Sequence, residues 1–151
     1  MGRHGVAVAA RGWHFCLLEL ARLRSHEQVD ESALRALAAE IQRDGRLLQP
    51  VIVDAESLVI LDGHHRVSAL RDLGCRLVPA YLVDYGDPAI TVGSWRAETP
   101  PVSKDDVVQA GYLGRPFPPK TSRHCFGPTP PAERPVALEA LGRRGLGDRP
   151  S

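Results

Sequence analysis

The chain has 151 residues, 19 Lys and Arg against 18 Asp and Glu, and a formal charge of +1. That length suits one domain with a tail, and the near-balance of charge argues against a surface dedicated to duplex DNA. No apolar run is long enough for a membrane span, and the apolar patch in "MGRHGVAVAARG" is too short and too poorly flanked for a secretory signal. Cys16, Cys75 and Cys125 are odd in number and widely spaced, with no Cys-x-x-Cys pair, so neither a disulfide framework nor a zinc site is expected. The expected setting is the cytoplasm, with reduced thiols.

In chain order, residues 1–12 read as a flexible start. "CLLELARL" (Cys16 to Leu23) reads as a strand running into the loop "RSHEQVD". Asp30 can cap a helix whose apolar positions are Leu34, Leu37, Ala38 and Ile41, with Gly45 as its stop. "PVIVD" and "LVILD" are β-branched runs separated by "AES", which predicts a hairpin. "HRVSALRDL" predicts a short helix ended by Gly74, with Val67, Leu70 and Leu73 turned inward. "RLVPAYLVDY" reads as a further strand, and Pro79 places it at a sheet edge. Beyond Tyr85, glycine and proline become frequent. One helix is predicted from Lys104 to Ala110, with Ser103 as cap and Asp106 three residues on. Composition alone makes "RPFPPKTSRHCFGPTPPAERP" a disordered tail.

The corner "LDGHHR" carries the densest chemistry. A glycine between strand and helix lets the backbone turn tightly and approach a ligand. The first turn of the helix then presents free N–H groups and the positive end of the helix dipole, an anion site. Arg66 adds a planar fork suited to phosphate, and His64 and His65 add further donors beside Gly63. Adjacent helical residues point about 100° apart, so the two histidines are poorly placed to share one metal. Asp62 could hold a magnesium ion that bridges phosphate oxygens, act as a proton acceptor, or simply cap the helix as Asp-Gly corners often do.

With these residues in place, the chain resembles the N-terminal domain of the ParB/sulfiredoxin superfamily. Within it, the chain is most similar to the ParB-like free-serine kinases, which form O-phosphoserine from the free amino acid. The resembling segments are "RLRSHEQVDESALRALAAEIQRDGRLLQPVIVD", "LVILDGHHRVSALRDLGCRLVPAYLVDY" and, more weakly, "PPKTSRH". Partitioning ParB proteins usually carry Gly-Glu-Arg-Arg at the corner and sulfiredoxins Gly-Cys-His-Arg. Here His64 stands where sulfiredoxin has its nucleophilic cysteine, and an imidazole cannot form the thiol-based intermediate of that reaction. The resemblance implies an α+β fold: a small mixed sheet with flanking helices, plus a short Gly/Pro-rich C-terminal extension. It divides the chain into a nucleotide-binding core at 13–85, a substrate-binding extension at 86–141 and a disordered tail at 142–151.

Phosphoryl transfer to a hydroxyl requires the phosphates to be held, their charge offset and the hydroxyl proton accepted. The resemblance assigns a functional glutamate to Glu27; a hydrogen-bonded carboxylate is a sensible general base, and Asp62 remains the rival for that role. The resemblance also implies that "PPKTSRH" folds over the site, so that Lys120, Thr121, Ser122, Arg123 and His124 grip the amino acid and its phosphate. Trp95 could wall the pocket, with Arg96 a weaker candidate. The kinases compared are longer between the core and these last elements, so a second subunit of a homodimer could complete the pocket wall. The donor, ATP or ADP with magnesium, stays open. So does the acceptor, free L-serine or a near relative such as threonine or homoserine, since one methylene discriminates by only about 1–3 kcal/mol. The alternative is a ParB-like nucleotide- or DNA-binding regulatory module. The balanced charge and the lack of a helix-turn-helix pattern after Tyr85 disfavour it.

Overall fold

The computed structural model describes residues 13–94, 102–127 and 131–142. Trp95, Arg96, the expected flexible start at 1–12 and, apart from Gly142, the expected disordered tail at 142–151 lie outside them. The first half of the chain forms β1 (His14–Glu19), a 3-10 turn at Leu20–Arg22, α1 (Glu31–Asp44) and β2 (Arg46–Leu47). Then come β3 (Val51–Asp54), β4 (Ile60–Asp62), α2 (His64–Asp72) and β5 (Leu77–Val83). The second half adds β6 (Thr91–Gly93), α3 (Lys104–Leu113), β7 (Arg123–Cys125) and β8 (Val136–Ala137), closed by a 3-10 turn at Leu138–Leu141.

The main sheet has the order β1-β5-β3-β4. β3 and β4 form the antiparallel hairpin, with a bulge between Ile52 and Val53. α2 then crosses over to bring β5 parallel to β3 and antiparallel to β1. Side-chain alternation splits the sheet into two buried faces. Val51, Val53, Ile60, Val78 and Ala80 face α1 and α2, joined by Leu34, Ile41, Val67 and Leu70. Ile52, Leu61, Tyr81 and Val83 face the other way, against Trp13, Ile90 and Val107 of α3. Burial on both faces explains why these strands read as nearly continuous apolar runs.

The helices end as their sequences dictate. Gly45 closes α1 in the left-handed conformation (φ 72°), and its N–H bonds the Ile41 carbonyl at 2.8 Å. α3 starts with a full capping box: the Asp106 N–H donates to Ser103 Oγ at 3.0 Å and the Ser103 N–H to Asp106 Oδ2 at 2.9 Å. Two expectations are corrected. Asp30 precedes α1 but its side chain makes no capping bond. β5 is an interior strand rather than an edge. Pro79 is accommodated there because it stands one residue before the first β3 pair, Val51 with Ala80, where the parallel ladder has not begun.

The Gly/Pro-rich half is ordered where it is described. β7 pairs with β6, and β8 pairs with β2. Leu138 and Leu141 are completely buried in the cluster that α1 and α2 build. Residues on both sides of Tyr85 therefore share one core.

Candidate active site

The loop between Leu23 and α1 is held as an extra extended segment beside β4. The Arg24 N–H donates to the Leu58 carbonyl and the Ile60 N–H to the Arg24 carbonyl, both at 2.9 Å. On its other side the Phe117 N–H donates to the His26 carbonyl (2.8 Å) and the Gln28 N–H to the Phe117 carbonyl (2.7 Å). His26 and Glu27 are thus fixed between the sheet and the returning chain, although neither belongs to a regular element.

At the corner, Gly63 has φ 110° and ψ 26° and opens α2 with no side-chain cap and no acidic residue in the first turn. The leading N–H groups of the helix therefore have no capping side chain and no acidic residue within the first turn. Asp62 is about half exposed and accepts from Arg66 Nη2 at 2.9 Å. Arg66 Nη1 donates to the carbonyls of Gln49 (2.9 Å) and Pro50 (2.8 Å). The guanidinium thus braces the entry to β3 and orients Asp62, besides carrying charge at the helix start. The two histidines each accept one bond from the loop: His64 Nε2 from the His26 N–H (3.2 Å) and His65 Nε2 from the Asp30 N–H (3.0 Å). With Nε2 accepting, each neutral ring carries its proton on Nδ1 and can donate from there.

The third wall is the 117–125 segment. Glu27 organises it: Oε2 accepts from the Lys120 N–H (2.9 Å), and Oε1 from the Ser122 N–H (3.0 Å) and Ser122 Oγ (2.9 Å). A carboxylate has about four lone-pair sites, so one, on Oε2, stays open to a further donor. Lys120 adopts φ 61°, a left-handed conformation that costs a non-glycine residue on the order of 1 kcal/mol and is tolerated when the surroundings over-determine it. Thr121 Oγ1 turns back to the Pro118 carbonyl at 2.6 Å and does not line the cleft. The result is an open cleft of about 670 Å³ lined by Glu27, Asp62, Gly63, His64, His65, Arg66, Lys120, Ser122, Arg123 and His124, with His26, Leu37 and Leu61 completing the wall.

Three imidazoles crowd the floor. The His26 ring lies 4.6 Å from that of His64 and 5.7 Å from that of His124, centroid to centroid. Burial holds His64 well below the ordinary imidazole value, with further lowering from His26, His124 and His65. Burial likewise pushes His124 down to about 3, helped by His26 and Lys104. His26 is also lowered by burial, opposed by the charge of Glu27 and the Ile60 carbonyl. All three are neutral at pH 7. Tyr85 Oη lies 2.8 Å from His124 Nε2, and burial raises the phenol, so the phenol stays protonated and can donate to that nitrogen. Lys104 Nζ bonds the Tyr85 carbonyl at 2.8 Å and sits over the Tyr85 ring.

Sequence reading passed over His26, Tyr85 and Asp54. The carboxylate of Asp54 is buried, accepting from Ser57 Oγ (2.6 Å), the Ser57 N–H (3.0 Å) and the Tyr85 N–H (3.3 Å). It shapes the β3–β4 turn and anchors Tyr85. The Asp-x-x-Ser spacing in "DAES" was its available signal; Tyr85 and His26 had none beyond the His-Glu pair.

Comparison with known proteins agrees with this architecture. The ParB N-terminal domain family matches residues 15–93, and the chain belongs to that family. A ParB-like protein of Sulfolobus acidocaldarius is 42% identical over 74 residues, covering 49% of this chain and 37% of that protein. An ATP-dependent L-serine kinase of Staphylothermus marinus is 31% identical over 83 residues, 52% of this chain and 33% of that protein. The chain thus spans about a third of the length of the curated relatives it matches. Among solved structures, a free serine kinase in complex with AMP superposes with a TM-score of 0.73 at 18% identity, covering 84% of this chain and 93% of that one. At that identity the likeness speaks for the fold.

Proposed function

We propose that the protein transfers a phosphate from ATP or ADP to the side-chain hydroxyl of free L-serine or a closely related amino acid. The observation that carries this reading is the convergence of an uncapped helix N-terminus, the Glu27 carboxylate and the Lys120–His124 segment on one cleft. The α2 N-terminus suits the nucleotide phosphates. The Lys120 ammonium suits the carboxylate of the acceptor. Glu27, bonded to Ser122, supplies the negative charge that lets this wall accept the hydroxyl proton. Relatives named as ATP-dependent L-serine kinases from Staphylothermus marinus and Desulfurococcus mucosus, and an ADP-dependent one from Thermococcus kodakarensis, support the choice of acceptor and donor.

Among the described residues no group of three or more His, Cys, Asp or Glu side chains can hold a metal by itself. Asp62 nonetheless fits magnesium: it is exposed, only its Oδ2 is engaged, and magnesium commonly takes one or two carboxylates together with phosphate oxygens and water. Bound there, the ion would offset phosphate charge. Arg66 keeps that carboxylate turned to the cleft.

The deciding experiment incubates the protein with ATP or ADP, magnesium and a panel of free hydroxy amino acids. A phosphorylated amino acid detected by mass spectrometry is the expected result. Nucleotide binding without any phosphorylated product would overturn the reading, and a salt-sensitive shift of duplex DNA would favour a regulatory module instead.

A further inference from the structure

His26 is almost completely buried, and the reading above gives it no task. Its ring nitrogens have fixed partners: Nδ1 lies 2.8 Å from the Ile60 carbonyl oxygen and Nε2 lies 2.9 Å from Ser122 Oγ. A carbonyl oxygen only accepts, so Nδ1 carries the proton and Nε2 of the neutral ring is bare. The hydroxyl that faces this bare nitrogen lies 2.9 Å from a second acceptor, Glu27 Oε1. A serine hydroxyl has one proton and cannot serve both. With His26 neutral and Glu27 ionised, one of the two contacts therefore sets lone pair against lone pair. A single added proton resolves the conflict: His26 Nε2–H donates to Ser122 Oγ, and the Ser122 hydroxyl donates to Glu27 Oε1.

The geometry assigns His26, Ser122 and Glu27 to one proton-accepting unit, in which His26 finally holds the proton lost by the acceptor hydroxyl. This rests on the kinase reading and deepens it. The acceptor O–H bond breaks as its oxygen attacks phosphorus, and the bond's electron pair goes with that oxygen into the new O–P bond. The proton joins Ser122 Oγ while the Ser122 proton moves to His26 Nε2. The P–O bond to the nucleotide breaks, and the nucleotide oxygen keeps that electron pair. The new Ser122 O–H turns to Glu27 Oε1, whose charge offsets the imidazolium; solvent takes the proton after product leaves. The surroundings suit a receptor that is empty at rest. Burial keeps His26 neutral at pH 7, and the neighbouring His64 and His124 are neutral too, leaving Glu27 as the charge that favours protonation.

The test has two arms. Histidine nitrogen NMR on the whole chain, without nucleotide or acceptor, should show His26 as the Nδ1–H tautomer, and Glu27→Gln should move its titration midpoint lower. An Nε2–H tautomer, or a midpoint that Glu27→Gln leaves in place, overturns the shared unit. In turnover assays, Ser122→Ala and His26→Gln should each lower kcat by roughly 10²-fold, within the range of general acid–base effects. The KM for nucleotide should stay unchanged, and the acid limb of the kcat–pH profile should shift in His26→Gln. Full kcat in Ser122→Ala overturns the route even if His26→Gln fails to fold. If the parent protein makes no phosphorylated amino acid, the kinase reading and the catalytic route fall together, and the NMR arm alone decides whether the three residues share a proton.

Discussion

Gly63 is the residue on which the corner turns, and Gly63→Ala tests the whole construction. Its φ of 110° lies beyond the left-handed basin open to residues with a Cβ. Forcing alanine into such a sparsely populated region costs about 1–3 kcal/mol. The new Cβ would also lie 2.5 Å from Val51 Cγ1, 2.9 Å from Val51 Cβ and 3.2 Å from Arg66 Nη2. Val51 is fully buried, so the overlap is an overpacking defect of about 1–3 kcal/mol. Alanine recovers about 0.4–1 kcal/mol by restricting the unfolded chain. The net expectation is a loss of roughly 3 kcal/mol, a large part of the 5–15 kcal/mol that such a domain possesses. For a chain of this size that is on the order of 6–12 °C in Tm. Urea and thermal unfolding of Gly63→Ala, Val51→Ala and the double variant read the two components separately. Val51→Ala removes the 2.5 Å overlap with Cγ1 but leaves the 2.9 Å approach to Cβ and the backbone strain, so the double variant should be more stable than the sum of the singles by about 1 kcal/mol. Gly63→Ala within about 0.5 kcal/mol of the parent, the range of an ordinary surface change, would refute the geometry. Strict additivity would refute the overlap.

Other expectations follow from single contacts. Glu27→Gln should abolish turnover by about 10²-fold or more while leaving nucleotide affinity unchanged by calorimetry; surviving activity would move the base to Asp62. Gly111 packs on the sheet inside α3, where an added Cβ would lie 2.8 Å from Val59 Cγ2. Gly111→Ala should therefore destabilise the protein in urea, despite the ~1 kcal/mol that alanine gains over glycine in a helix. Tyr85→Phe leaves His124 Nε2 without its partner and should lower stability by about 1–2 kcal/mol, measured the same way. Stability should also fall on acidification. His26, His64 and His124 have folded-state pKa values depressed below 6.5, so the unfolded chain binds more protons between 6.5 and the folded values, which for His124 reach about 3. Each imidazole contributes up to about 1.4 kcal/mol of loss per pH unit in that window. Urea midpoints from pH 7.5 to 4.5 check the sign; a flat profile would mean that the imidazoles are not buried neutral.

Local patterns announced much of the architecture. The helical spacing of Leu34, Leu37, Ala38 and Ile41 with Gly45 as stop, the paired β-branched runs, and the Ser103–Asp106 box all correspond to observed elements. Each depends on contacts within a few residues of chain, where propensity and capping chemistry act. Pro79 misled because edge and interior strands differ only in what lies alongside, which no local pattern carries. The segment containing "PPKTSRH" misled by composition for a related reason. Its order comes from Glu27, from the Phe117 bonds to the His26–Gln28 backbone and from pairing with β6, all supplied from distant sequence.

By itself, the sequence determined the strand–glycine–helix corner at Asp62–Arg66 and its charged, anion-seeking chemistry, because that arrangement is written within five consecutive residues. Only the tertiary structure decided what the corner faces. The Ser122–Glu27 contacts bridge 95 positions and the His26–Ser122 contact 96. They exist because the sheet, the 117–125 segment and the loop before α1 are packed into one body. The assignment of protons among His26, Ser122 and Glu27 belongs wholly to that second level: it follows from which donors and acceptors meet at hydrogen-bond distance in a buried site, and that is a property of the packed chain.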